Sequence, residues 1–109
     1  MKKVITLILP VLLLPLSVYA AQVYGSLKED GRAIPERTRV EVNCNGRTYA
    51  GVTDGYGAYS VNVSEKGRCV FKVYHRGQSP TFDLYSYDNP VRYDFDLVLL
   101  NGQYTLRRK

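Results

Sequence analysis

Few groups in this chain are able to do chemistry. One histidine, His75, and two cysteines, Cys44 and Cys69, stand among scattered serines and carboxylates. Asp94 and Asp96 are two apart, so on a strand they share a face with Cβ atoms roughly 7 Å apart, a separation at which two carboxylates can act on one bond. Arg92 and Tyr93 beside them read instead as an ordinary solvated edge. A nucleophilic triad needs a base and an oriented Ser or Cys in one frame, and none is recognisable. Calcium at Asp54 with Asp30 or Asp88 would want several acidic ligands clustered in one loop. Neither catalysis nor a metal or cofactor is expected.

The cysteines point to structure. A redox pair would sit close in sequence in a low-pKa setting, and a metal site would need more ligands than two thiols and one imidazole. The first twenty residues read as a removable secretory leader: Lys2 and Lys3, an apolar stretch from Val4 to Leu16, and Val18-Tyr19-Ala20 as a small-x-small cleavage signal. Pro10 and Pro15 interrupt the stretch, which falls short of the roughly 20 residues of a membrane span. Export places Cys44 and Cys69 in an oxidising compartment, periplasmic or secreted, where one disulfide is the default. Closing a loop between residues 25 apart restricts the unfolded chain by about 3 kcal/mol. Both cysteines fall on the inward parity of their strands, so a buried bridge across the core is expected.

Residues 21–109 suffice for one small domain with a thin core. Two of the fifteen Lys and Arg lie in the leader, leaving thirteen against ten acids, a mild net charge of +3. The only basic run, Arg107-Arg108-Lys109, reads as a solvated tail, so nucleic acid is not an expected partner. No membrane span is expected after cleavage.

The elements that must position any site are strands. Val23, Gly25 and Leu27 alternate with polar residues, and Gly25 would let another backbone pass close. Val40, Val42 and Cys44 continue the pattern, and Asn45-Gly46 is a strong signal for a type I′ hairpin returning through Arg47 to Val52. Tyr59, Val61 and Val63, then Cys69, Phe71 and Val73, then Phe82 and Leu84 mark further inward faces. His75 to Pro80 is loop by composition. The longest alternation runs from Val91 to Leu99 and reads as one strand, followed by Asn101-Gly102 as a second tight turn. Short strands at intervals of about 8 to 12 residues without helical periodicity predict an all-β fold, a single antiparallel, Greek-key-like β-sandwich of about seven strands.

The organising turn is Thr53-Asp54-Gly55-Tyr56-Gly57, which runs straight into the strand Ala58 to Val63. Asp54 can hydrogen-bond backbone two residues on, and the glycines accept positive φ. The pattern Thr-Asp-x-x-Gly-x-Tyr, with Thr53, Asp54 and Gly57 as its defining residues, resembles the carboxypeptidase regulatory-like and Cna-B-like domains of the prealbumin-like sandwich group. The resemblance spans most of residues 22 to 100 and implies a non-catalytic module that binds or scaffolds. The related hydroxyisourate hydrolases need several histidines and a C-terminal Tyr-Arg-Gly-Ser, and this chain ends Leu106-Arg107-Arg108-Lys109. Intradiol dioxygenases need paired Tyr and His iron ligands. The Lys to Asn isopeptide bond of Cna-B-like domains would have to use Lys28, Asn101 and Glu41, and Glu41 has outward parity.

Ten tyrosines and no tryptophan is a high count for so short a chain. Tyr24, Tyr56, Tyr74, Tyr85 and Tyr87 fall at outward or loop positions, and Tyr with Arg makes a favourable contact surface. Tyr74, Tyr85 and Tyr87 with Lys72, Arg76 and Arg92 form the candidate binding surface. The expected partner is an envelope or secreted protein, engaged through that surface or along an exposed strand edge. A glycan-binding module and a small secreted hydrolase inhibitor, inserting His75–Pro80 or Ser86–Pro90, are the alternatives, the absence of Trp counting against stacked polysaccharide.

Overall fold

The computed structural model describes residues 21–109. The leader expected at 1–20 lies outside the described residues. The described chain is all-β: β1 (Ala21–Glu29), β2 (Arg32–Ala33), β3 (Arg39–Cys44), β4 (Arg47–Val52), β5 (Ala58–Val63), β6 (Gly67–Val73), β7 (Thr81–Ser86), β8 (Val91–Arg92), β9 (Phe95–Leu100) and β10 (Gln103–Arg108). Two sheets face each other. One is ordered β4-β3-β6-β7; the other is built on β1, with β5 and β2 on one side and β8, β9 and β10 on the other.

Period-two alternation places the core. Val23 and Leu27, Val40 and Val42, Val61 and Val63, Phe71 and Val73, and Phe95 and Leu97 are all buried between the sheets. Phe71 and Phe95 stack across the middle at 5.2 Å, with Phe82 edge-on to Phe95 at 4.8 Å. Among the described residues no helix is long and apolar enough to cross a membrane.

Two-residue turns set the register. Asn45-Gly46 and Asn101-Gly102 both take positive φ, the type I′ signature that matches strand twist. Arg76-Gly77 does the same inside the stretch that reads as loop by composition, pairing His75 with Gln78 through both backbone bonds at 2.9 Å.

Three details differ from the sequence reading. Val91 to Leu99 is not one strand: Tyr93 and Asp94 interrupt it, because the Tyr93 amide bonds Tyr24 (2.8 Å) while its carbonyl turns toward Gly25. Both pieces run parallel to β1, so two pairings in the otherwise antiparallel sandwich are parallel. The disulfide joins Cys44 to Cys69 but does not cross the core. It links neighbouring strands β3 and β6 of one sheet, with Cα atoms 4.5 Å apart, the spacing of a non-hydrogen-bonded antiparallel pair.

Candidate partner-binding face

The Thr53–Gly57 turn is built from its own side chains. Asp54 Oδ1 accepts from the amides of Tyr56 (2.8 Å) and Ala58 (3.0 Å), and the Asp54 amide donates to the Ala58 carbonyl. Buried Thr53 donates its hydroxyl to the Pro35 carbonyl and accepts from the Thr38 amide. Gly57, at φ 78°, lies so close to Leu27 that a Cβ there would meet its carbonyl oxygen at 2.5 Å. These groups fix where β5 starts. Asp54 spends one carboxylate oxygen on its own turn, and Asp88 is paired with Lys66, so they do not converge as cation ligands.

The outer face of the β4-β3-β6-β7 sheet carries the outward parity of its strands. Val70, Tyr74 and Tyr85 project there at 36%, 39% and 47% exposure, and Tyr87 just beyond β7 stacks on Tyr85 with centroids 6.4 Å apart. Lys72 lies over the Tyr74 ring, and the Tyr74 hydroxyl donates to Glu41 at 3.0 Å. The Arg39 guanidinium and that hydroxyl together hold the Glu41 carboxyl below its usual range. The Glu41 carboxylate thus stands on the outer face of one sheet while Lys28 pairs within the other, so the isopeptide arrangement is not assembled.

The candidate surface residues do not form one patch. Tyr85 lies opposite Arg68, six positions from Tyr74 along β6, about 20 Å at the strand rise. Arg76 turns away toward Glu29 (3.8 Å). Arg92 belongs to the other sheet, where it pairs with Asp94 at 2.9 Å and lies over Tyr24. Tyr74 at one end and the Tyr85–Tyr87 pair at the other therefore frame Val70, without the two arginines. Asp94 and Asp96 are likewise separated by their partners. Burial pushes the Asp94 carboxyl up, but Arg92 and two bonds from Ser26 hold it below its usual range, whereas Asp96 faces Arg107 and Lys109.

One cluster escapes the sequence reading altogether. His75 is buried and donates Nε2–H to Glu29 Oε1 at 3.0 Å, while the Tyr104 hydroxyl donates to Glu29 Oε2 at 2.8 Å. The hydroxyl first and the imidazole second hold the Glu29 carboxyl below its usual range. The same turn aims Gln78 at β10. Glu29, His75 and Tyr104 are far apart in sequence and mark no motif; the Arg76-Gly77 pair was the only local signal that His75 is held. Both carboxylate oxygens of Glu29 are occupied, and the cluster ties β1, the β6–β7 connection and β10 together.

No family model matches the chain, and no curated protein matches it in sequence. Solved structures match it in fold. The Bacillus anthracis TIE protein aligns with a TM-score of 0.58 at 6% identity, over 85% of this chain and 17% of that one. A type II cohesin–X-dockerin complex from Acetivibrio cellulolyticus, a C-terminal interface mutant, aligns at 0.52 and 14% identity, over 77% of this chain and 64% of that one. The chain thus spans a small part of the first and under two thirds of the second. At these identities the likeness is one of β-sandwich fold.

Proposed function

We propose that the chain is an exported, non-catalytic module, residues 21–109 after a cleaved leader at 1–20, that binds or scaffolds a partner protein at the cell envelope. In this it follows the carboxypeptidase regulatory-like and Cna-B-like domains that the turn motif resembles. The observation that carries the reading is the row Tyr74, Val70, Tyr85 and Tyr87, large apolar side chains left exposed on the outer face of a disulfide-stapled sheet. Aromatic side chains on a rigid sheet cover area at low entropic cost and keep a polar tip for a partner's hydrogen bonds. That one fold neighbour comes from a cohesin–X-dockerin complex, a protein–protein assembly, lends support. The disulfide fits an oxidising compartment.

The test is a crosslinking pull-down from the exporting cell's envelope with the protein and its Tyr74→Ala, Tyr85→Ala, Tyr87→Ala triple variant, followed by titration of the captured protein in purified form. Saturable binding by the parent that the variant loses supports the reading. Binding unchanged in the variant removes this face. Retention on insoluble polysaccharide in place of a protein would replace the partner by a glycan.

A further inference from the structure

The sandwich has four strand edges, and on three of them another group bonds the outward backbone at one point along the strand. On β7 the Tyr93 hydroxyl accepts from the Tyr85 amide at 3.1 Å and donates to the Tyr85 carbonyl at 3.2 Å. On β10 the Gln78 side chain accepts from the Tyr104 amide at 2.8 Å and donates to the Gly102 carbonyl at 2.9 Å. On β5 the Asp54 turn closes both backbone groups of Ala58. β4 has no such cap among the described residues. Its register against β3, starting with Cys44 opposite Arg47 across a two-residue turn, directs the backbone of Arg47, Tyr49 and Gly51 to β3. The amides and carbonyls of Thr48, Ala50 and Val52 then point outward, and the three side chains are exposed. No proline and no charge falls between Thr48 and Val52, so the usual devices that stop edge pairing are missing.

We propose that β4 pairs antiparallel with β4 of a second copy of this chain, about a two-fold axis through Ala50, joining two four-stranded sheets into one of eight. The edge is self-complementary in that register. Ala50 meets Ala50, and Thr48 meets Val52, a β-branched cross-strand pair of the favourable kind. Arg47 falls opposite Thr53, so no like charges meet. The isologous contact closes on itself instead of propagating. β5 covers the underside of β4, with the Ser60 carbonyl against Gly51, so the added strand extends the sheet in its own plane. Three residue pairs make a small interface, and the dimer is concentration-dependent. The inference rests on the β4 backbone and not on the tyrosines, so either can fail without the other.

The test uses the purified protein and introduced thiols. In this register an Ala50→Cys pair has Cα atoms about 5.5 Å apart, within disulfide reach. Thr48→Cys places its two copies about 14 Å apart along the strands, out of reach. Mild oxidation is expected to give a covalent dimer with Ala50→Cys and not with Thr48→Cys. Sedimentation equilibrium of the unaltered protein is expected to show mass rising toward the dimer with concentration, and Ala50→Lys, which sets like charges opposite each other, to restore the monomer with an unchanged denaturation midpoint. A protein monomeric at every concentration overturns the proposal, as does equal crosslinking by the two cysteine variants.

Discussion

The carbonyl oxygen of Tyr93 lies where a side chain on Gly25 would have to sit, and the Tyr59 hydroxyl donates a 2.7 Å hydrogen bond to that same oxygen. This contact lets the chain leave β8, bulge past Gly25 on the same side of β1 and resume as β9.

Gly25→Ala forces backbone against backbone, so we expect a loss of about 2–3 kcal/mol. Tyr59→Phe leaves the buried carbonyl without its donor and is expected to cost about 1–2 kcal/mol. Urea midpoints of the two variants check both values. An alanine tolerated at position 25 would show that β1 and the Tyr93 segment can separate cheaply.

Acid is expected to destabilise the protein partly through Glu29. Its folded-state pKa is depressed from 4.5, by the Tyr104 bond first and the His75 bond second. A depressed carboxyl binds its proton more readily in the unfolded chain. Its contribution is therefore complete above pH 4.5 and is lost as pH falls through the lower folded value. Glu41 and Asp94 are shifted the same way. Glu29→Gln should give a shallower decline of denaturation midpoint below pH 4.5 than the parent, and identical declines would remove Glu29 from the acid response.

Replacing both cysteines, Cys44→Ala with Cys69→Ala, should lower stability by about 3 kcal/mol, since the bridge closes a loop between residues 25 apart. Denaturant titration of the variant against the oxidised parent measures this. A loss well below 1 kcal/mol would mean that the β3–β6 ladder already restricts the unfolded chain.

Tyr85→Ala and Tyr87→Ala remove half-exposed rings that stack mainly on each other. Each is expected to change stability by no more than about 0.5 kcal/mol. Thermal unfolding checks this, and a larger loss would mark the pair as structural.

Alternation, turn dipeptides and the Thr53–Gly57 pattern were enough to read the all-β sandwich, its inward faces, the two Asn-Gly hairpins and the pairing of Cys44 with Cys69, because each depends on residues near in sequence or on there being only two thiols. Parity also put Tyr74 and Tyr85 on an outer face. Distance between elements is not written in parity. Tyr74 and Tyr85 share a face yet stand at opposite ends of it, and Arg76 and Arg92 leave it for Glu29 and Asp94. The bridge lies within one sheet because β3 and β6 are neighbours, a matter of strand order that no local pattern encodes. The same holds for His75: composition made it loop, and only the approach of β1 and β10, bringing Glu29 and Tyr104 to one place, buried it. Local chemistry determined the strands; long-range packing decided which side chains meet.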